Sequence, residues 1–288
     1  MRWRYLLSSL LILLLAVGIV EWHWEGTSRT SLEYPLNSSK LRSFLESQYV
    51  PEANLLRAAV KAYPDNATVY IANDNLLASR ALITLGSPLG EKILRNLNAN
   101  YSGGWNGKVD VLLGRPIGGF HCTETKKLGE VYSKKFGATF EIKYELANTT
   151  CRMDDWESYA DLLVYGALND LIGGNRSGAL ELYSKLLAMW DGNGFRDRAF
   201  KGTYQTYKCA LFVYLYRALD RPNKGKNVYS RCLKMISSLQ ARNGGIITGY
   251  RVENGGIVPV GDTNTETTSV VALAFYSDYP EEMRVNQT

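Results

Sequence analysis

The sequence predicts an all-α domain of helical hairpins with a small β insertion, preceded by an N-terminal membrane helix. Two kinds of helical segment alternate along the chain. Segments of the first kind are apolar on nearly every side, as expected of buried helices. They are 76–85, 162–172, 209–219 and 268–276. Segments of the second kind carry one apolar stripe opposite a polar face. They are 41–49, 93–97, 179–190 and 228–239. An inner layer of buried helices wrapped by an outer layer of amphipathic helices satisfies both patterns.

The chain begins with a leader, residues 1–26. Arg2 and Arg4 precede an uncharged run of 16 residues, which as a helix spans roughly 24 Å against about 30 Å of hydrocarbon. Flanking tryptophans extend this span to both membrane interfaces. The pattern predicts a signal-anchor, and a small-residue site at 16–18 leaves cleavage as a signal peptide open.

A Ser/Thr-rich stalk at 27–39 follows the leader, and residues 40–288 form the predicted domain. The positive-inside rule places this domain outside the cytoplasm, at the cell membrane if the leader is retained and secreted if it is cut. Six Asn-x-Ser/Thr sequons agree with an exterior location and are candidate glycosylation sites. They are Asn37, Asn66, Asn100, Asn148, Asn175 and Asn286.

Four cysteines without Cys-x-x-Cys spacing favour disulfides over zinc or redox motifs. Cys122 and Cys151 bracket a strand-like segment and are predicted to pair. Cys209 and Cys232 lie in consecutive predicted helices, where they either pair or remain buried thiols.

Residues 108–151 interrupt the helical rhythm. Part of this segment, 138–146, alternates apolar and polar residues as a strand does. We predict a β insertion between two hairpins, which either forms a rim over the end of the helices or is a purely structural loop.

The connections between hairpins repeat as well. Outer helices run into glycine-rich turns at 101–107, 190–195 and 240–245. Polar clusters at 73–75, 154–157, 203–206 and 262–266 open the buried helices. This arrangement resembles the α/α-toroid superfamily, which includes the six-hairpin glycosidases and the terpenoid-cyclase-like toroids. The resemblance runs from about residue 39 to residue 279. It implies a complete or partial barrel of helical hairpins, of which four inner helices are recognisable.

If the inner helices run parallel, their polar N-terminal clusters meet at one end. Carboxylates beside aromatic platforms are what hydrolysis of a sugar polymer requires. Asp74, Asp155 and Glu266 are therefore the candidate catalytic residues. The candidate substrate-binding residues are Asp154, Trp156, Tyr204, Gln205, Asp262 and Asn264. The competing interpretation is that these residues only cap helices.

Composition restricts the function further. Lys plus Arg is 33 and Asp plus Glu is 28, a charge of +5 that does not suggest a nucleic-acid partner. With only 2 histidines, carboxylates are the remaining candidates for acid–base catalysis. No cofactor is expected, although oxygen spacing at Asp191, Asn193 and Asp197 leaves a calcium ion possible.

The sequence thus predicts a cell-surface carbohydrate-active protein, a glycoside hydrolase or lyase with a polysaccharide or glycan ligand. The alternative is a non-catalytic envelope protein that binds glycan or protein.

Overall fold

The computed structural model describes residues 36–277. The predicted membrane helix and most of the stalk lie outside these residues. Within residues 36–277, no helix has both the length and the apolar character needed to cross a bilayer.

The prediction of an all-α fold is wrong, because the domain is a mixture of α and β structure. Helices account for 48% of the structure and strands for 24%, and the strands form three sheets. The helices are α1 Ser38–Ser47, α2 Leu77–Thr84, α3 Pro88–Asn100, α4 Ala160–Ile172, α5 Arg176–Ala188, α6 Thr206–Ala218, α7 Lys226–Ser238 and α8 Thr265–Tyr276. The strands are β1 Tyr49–Val50, β2 Leu55–Leu56, β3 Thr68–Tyr70, β4 His121–Ser133, β5 Ala138–Arg152, β6 Tyr204–Gln205, β7 Ile247–Glu253 and β8 Gly256–Thr263.

The helices themselves follow the predicted two-layer pattern. Helices α4, α6, α8 and α2 pack side by side in that order as an inner row. The outer helices α5, α7, α1 and α3 lie against α4, α6, α8 and α2 respectively. The inner row is buried because its helices lack a polar face; in α6 nearly every side chain from Thr206 to Ala218 is shielded from water. All four predicted buried helices are confirmed, each beginning within three residues of its predicted start.

Caps and one close approach fix the helical hairpins. Asn175 caps α5 by accepting from the backbone N–H of Gly178, and Asn264 caps α8 through Thr267. Gly90 allows α3 to approach α2 closely, since a Cβ there would lie 2.5 Å from the backbone oxygen of Ser79. A larger residue at this position would therefore force α2 and α3 apart.

The β structure lies in the connections that lead from an outer helix to the next inner helix. Strands β4 and β5 form a long antiparallel hairpin between α3 and α4, and β3 joins β5 in parallel. These strands confirm the β character predicted for residues 108–151. A second hairpin, β7–β8, lies between α7 and α8 and carries β6 on its edge. This hairpin was not predicted from the sequence.

The two ends of the inner row therefore differ. The connections from inner to outer helix are short turns at 85–87, 173–175 and 219–225. The return connections contain the sheets, and they lead to the N-terminal ends of the inner helices. An additional π-helix, Ile71–Leu76, directly precedes α2 at this same end.

Candidate functional site

The N-terminal ends of the four inner helices line one cavity of about 400 Å³, which we call the central cleft. Asn73 reaches it from the π-helix before α2, Asp161 from the first turn of α4, Tyr207 from α6 and Glu266 from α8. The N-terminal ends of the four inner helices therefore meet at one cavity, although α4 contributes Asp161 instead of a residue from its predicted cluster at 154–157.

A neighbouring cavity of about 450 Å³, the hairpin cleft, continues from the central cleft. The two cavities share Gln205, Tyr207 and Glu266. The β7–β8 hairpin supplies part of its wall, including Thr248 and Val260. Glu266 consequently lies where the two clefts meet.

Glu266 is an acid in an unfavourable environment for its charge. Burial, together with the negative charges of Glu145 and Asp161, raises the pKa of Glu266 from 4.5 to about 7. Within residues 36–277 its carboxyl group forms no hydrogen bond or ion pair. At neutral pH a substantial fraction of Glu266 therefore holds a proton beside the open cleft.

Two further acids lie behind Glu266. Asp74 is only 5% exposed, and burial and repulsion from Glu266 raise its pKa well above the usual range. Glu145, from β5, accepts a hydrogen bond from Asn73 Nδ2 at 3.1 Å through Oε1, whereas its buried Oε2 has no partner in the described part of the chain. Burial raises the pKa of Glu145 to about 7. The charge of Glu145 opposes ionisation of Glu266, and the charge of Glu266 opposes ionisation of Asp74.

Asp161 differs from Glu266 because its charge is partly stabilised. Tyr207 donates its hydroxyl to Asp161 Oδ2 at 3.3 Å, and the positive charge of Lys208 also lowers the pKa of this carboxyl group. Burial is the largest influence and raises the pKa of Asp161 above its usual value. The carboxylate form of Asp161 nevertheless has two favourable neighbours that Glu266 lacks.

Lys108 adds a positive charge to the central cleft. Its Nζ donates to Thr123 Oγ1 at 2.8 Å and has no ion-pair partner among residues 36–277. Burial lowers the pKa of Lys108, while the charge of Asp161 opposes that shift.

The structure brings two of the three predicted catalytic residues together. Asp74 and Glu266, together with Glu145, form what we call the carboxyl cluster. The carboxylate of Asp155 instead forms an exposed ion pair with Arg198 and lines neither of these clefts. The short helical turn Trp156–Ser158 separates Asp155 from α4, so this part of the predicted cluster points elsewhere.

The predicted substrate-binding residues also divide. Gln205 lines both clefts, and Asn264 lines the hairpin cleft while it caps α8. Asp262 accepts hydrogen bonds from the backbone of Lys61 and Ala62, which ties the end of β8 to that loop.

The remaining predicted binding residues lie away from the carboxyl cluster. Tyr204 is buried and donates its hydroxyl to Asp191 at 2.6 Å. Asp154 is exposed, and Trp156 packs on Phe120, with their ring centroids 4.8 Å apart. Trp156 lines a third cavity, of about 430 Å³.

The residues considered for calcium have other partners. Asp191 accepts from the backbone of Asn193 and Gly194 within its own turn. Asp197 instead binds Lys208 Nζ at 2.5 Å and the backbone N–H of Ala160. No group of three or more metal-binding side chains occurs in the described part of the chain.

Four site residues were not among the candidates predicted from the sequence: Asp161, Glu145, Asn73 and Lys108. Asp161 had a usable signal, since it is the one charged residue at the start of the apolar run that forms α4. Glu145 had none, because its place beside Asn73 depends on a contact between residues 72 positions apart in the chain.

The cysteine predictions are resolved in part. The Cys122–Cys151 disulfide is confirmed and joins the start of β4 to the end of β5. Cys209 and Cys232 are both buried and lie beside each other, and no disulfide joins them in the structure. Among the sequon asparagines, Asn37, Asn100 and Asn175 are exposed, and Asn66 and Asn148 are half-buried. Asn286 lies outside the described residues.

Comparison of the chain with protein-family models, with curated proteins and with solved structures found no match.

Proposed function

We propose that this domain hydrolyses glycosidic bonds in the central cleft, with Glu266 as general acid and Asp161 as the second carboxylate. The observation that carries this proposal is the convergence of these two acids, in unlike environments, on one open cleft. Hydrolysis of a glycosidic bond needs one protonated and one ionised carboxyl group on either side of the bond.

Glu266 fits the role of the acid. A general acid works best when its pKa is near the working pH, and burial beside Glu145 and Asp161 raises the pKa of Glu266 to about 7. It can therefore hold a proton at neutral pH and transfer it to the oxygen of the leaving sugar.

Asp161 fits the role of the ionised group. Burial raises the pKa of Asp161, but the charge of Lys208 and the hydroxyl of Tyr207 both favour its carboxylate form, and Glu266 has neither neighbour. Ionised Asp161 would either activate a water molecule or attack the sugar carbon directly. Its negative charge also helps Glu266 to retain the proton.

The tyrosines of the cleft favour hydrolysis over elimination by a lyase. A tyrosine that removes a proton from the sugar ring must itself be ionised. Burial and neighbouring carboxylates raise the pKa of Tyr165 and Tyr207 well above the usual value of a phenol. These residues can donate hydrogen bonds to a substrate but are poor bases.

We also propose that the domain acts outside the cytoplasm, tethered by the predicted anchor at residues 1–26. The Cys122–Cys151 disulfide supports an oxidising compartment. Exposed sequons such as Asn175 are accessible to glycan attachment. Protease protection of membrane vesicles that carry the full chain would test the orientation.

The activity test uses the full-length protein and a panel of labelled polysaccharides. Glu266→Gln and Asp161→Asn should each reduce kcat by about 10²- to 10⁴-fold. Asp220→Asn is the matched control, because this exposed carboxylate pairs with Arg176 away from the clefts. The wild-type rate should also fall as the pH rises above about 7, because Glu266 then loses its proton.

Two outcomes would contradict the proposal. Hydrolysis that survives in Glu266→Gln would exclude the assigned acid. Binding of a glycan without any turnover by the wild type would favour the non-catalytic alternative.

A further inference from the structure

We propose that Cys209 and Cys232 form a second disulfide, which closes while the chain folds and is shielded from reductants afterwards. This modification goes beyond the proposed hydrolysis, since neither cysteine lines the central or the hairpin cleft. Its formation in the cell rests on the proposed location outside the cytoplasm, because an oxidant must be present.

The two cysteines belong to neighbouring helices that pack as one hairpin. Cys209 lies in the first turn of α6, and Cys232 lies in the middle of α7, 23 positions later in the chain. The Cys232 thiol donates to Cys209 Sγ, and the two sulfur atoms are 2.6 Å apart. A disulfide holds its sulfur atoms about 2.05 Å apart, so bond formation requires a shift of only about half an ångström.

The surroundings of the pair favour a structural bond over catalytic or metal-binding thiols. Both side chains are at most 1% exposed. A polar neighbour, the Tyr250 hydroxyl, lies 3.9 Å from Cys209 Sγ and donates to the backbone oxygen of Asn193. A nucleophilic or metal-binding cysteine must lose its proton, and burial raises the pKa of the Cys232 thiol well above its usual value. A disulfide needs no charge in the folded core.

Closure of the bond is a two-electron oxidation by thiol–disulfide exchange. One cysteine, as a thiolate, attacks the disulfide of a small-molecule or protein oxidant, forms a mixed disulfide and releases one thiol of the oxidant. The other cysteine then attacks the mixed disulfide, forms the Cys209–Cys232 bond and releases the second thiol. The two cysteines lose two electrons and two protons, and the oxidant gains both.

Burial determines when this exchange takes place. The attacking thiolate and the oxidant must reach each other, which the packed α6–α7 pair prevents. The bond therefore closes before these helices are fully packed, and the same packing later excludes reductants. Cys122 and Cys151 offer a comparison within the chain, because they are only half-buried.

The bond would restrain the turn of α6 that carries two residues beside the carboxyl groups. Tyr207, which donates to Asp161, and Lys208, which binds Asp197, directly precede Cys209. A covalent link from Cys209 to α7 would join this turn to the outer layer. It would also reduce the entropy of the unfolded chain by closing a loop.

Refolding of the full-length chain in detergent tests whether the bond forms. The reduced, unfolded protein is refolded with reduced and oxidised glutathione, and remaining thiols are then blocked with N-ethylmaleimide in denaturant. We expect mass spectrometry to find a peptide pair linked through Cys209 and Cys232, besides the Cys122–Cys151 pair. N-ethylmaleimide or glutathione on Cys209 and Cys232, in chains that hold the Cys122–Cys151 bond, would overturn the proposal.

Protein isolated from its membrane without reductant separates this inference from the proposed location. Both disulfides are expected when its thiols are blocked with N-ethylmaleimide. Thiols at Cys209 and Cys232 alone would overturn the second bond and leave the location intact. Thiols at all four cysteines would contradict the oxidising location, and refolding with glutathione would still decide whether the bond can form.

Reduction of the folded protein tests the shielding. Dithiothreitol should open the half-buried Cys122–Cys151 bond at least about tenfold faster than the Cys209–Cys232 bond, because access limits the attack. The difference should disappear in denaturant. Equal rates in the folded protein would overturn the shielding.

Urea unfolding measures what the bond contributes to stability. In the full-length variant Cys122→Ala/Cys151→Ala, the remaining cysteines are Cys209 and Cys232. Dithiothreitol should lower the urea midpoint of this variant by about 1 M, since reduction opens the closed loop. The matched control, with all four cysteines replaced by alanine, should not respond. Equal midpoints with and without dithiothreitol in the first variant would overturn the bond.

Discussion

Asp197 and Glu266 are both buried acids near the N-terminal ends of the inner helices, but their environments differ. Asp197 has a cationic partner and Glu266 has none among the described residues. Asp197 is paired with the buried amine of Lys208 and also accepts from the backbone of Ala160. Glu266 has no cationic partner in the described residues, and other acids surround it. A buried acid with a cation stabilises the scaffold, whereas one without a cation keeps its proton and becomes available for chemistry.

The environment of Asp161 is intermediate between those of Asp197 and Glu266. Lys208 favours its ionised form, while burial and the charge of Asp197 oppose ionisation. The ion pair thus does more than hold α4 and α6 together, because its lysine also acts on a carboxyl group of the central cleft. Substitutions of Asp197 and of Glu266 should therefore differ in the size and in the pH dependence of their effect on the free energy of unfolding.

The largest effect is expected for Asp197→Ala. The substitution leaves Lys208, only 4% exposed, without its partner, and a buried unpaired charge costs about 3–5 kcal/mol. Urea unfolding should show this loss in the free energy of unfolding. Asp220→Ala, which removes an exposed ion pair, should cost less than about 1 kcal/mol. Similar losses for both variants would contradict the structural role of the buried pair.

At high pH, Glu266→Gln should increase the free energy of unfolding, whereas Asp197→Ala decreases it. Folding raises the pKa of Glu266 from 4.5 to about 7, so the folded state binds this proton more tightly. The stability gained is fully present below about pH 4.5 and is lost as the pH rises through about 7. An amide avoids that loss, and we expect the variant to be about 1–3 kcal/mol more stable than the wild type near pH 8.

Unfolding curves at about pH 5 and pH 8 would measure this difference. Glu145→Gln should behave in the same way, because burial also raises its pKa to about 7. A stability gain that is equal at both pH values would mean that ionisation is not its cause.

A smaller effect is expected for Tyr207→Phe. The variant removes the hydroxyl that donates to Asp161 at 3.3 Å, at a cost of about 1 kcal/mol. Because this hydrogen bond lowers the pKa of Asp161, the pKa should rise further in the variant. Carbon-13 NMR titration of labelled aspartate carboxyl groups would follow it. If the pKa of Asp161 were the same in the variant and in the wild type, Tyr207 would have no influence on the ionisation of Asp161.

The smallest effect is expected for Asp155→Asn. Its ion pair with Arg198 is exposed to solvent, and such pairs contribute between zero and about 1 kcal/mol. The difference from wild type should shrink further when salt is added. If Asp155→Asn lowered the free energy of unfolding as much as Asp197→Ala, the description of Asp155 as part of an exposed ion pair would be wrong.

The helices could be predicted from the sequence because burial leaves a periodic signal. Residues 206–218 lack a polar face, whereas residues 226–238 carry one, and this contrast assigned each segment to its layer. Asp74 and Glu266 were found for a related reason. Each is a charged residue at the start of an apolar run, where a parallel row of helices brings such positions together.

The other features of the fold and the site could not be predicted, because most of them depend on contacts between residues that are distant in the chain. Nothing near Asp155 in the sequence indicates its pairing with Arg198. Glu145 joins the acids of the cleft through its contact with Asn73, which lies 72 positions away in the chain. The β7–β8 hairpin was missed because its largely exposed outer strand contains glycine and proline, which weakened the alternation that identifies a strand.

The different connections at the two ends of the inner row have a consequence for how the protein can evolve. The turns of a few residues at 173–175 and 219–225 tie helices into pairs, so insertions there would disturb the packing that keeps the domain folded. The sheet-bearing connections are longer, and exposed parts of them, such as β8, can change with less effect on the helices. Natural variants should therefore diversify their ligands by altering β4–β5 and β7–β8, while the opposite end stays the same.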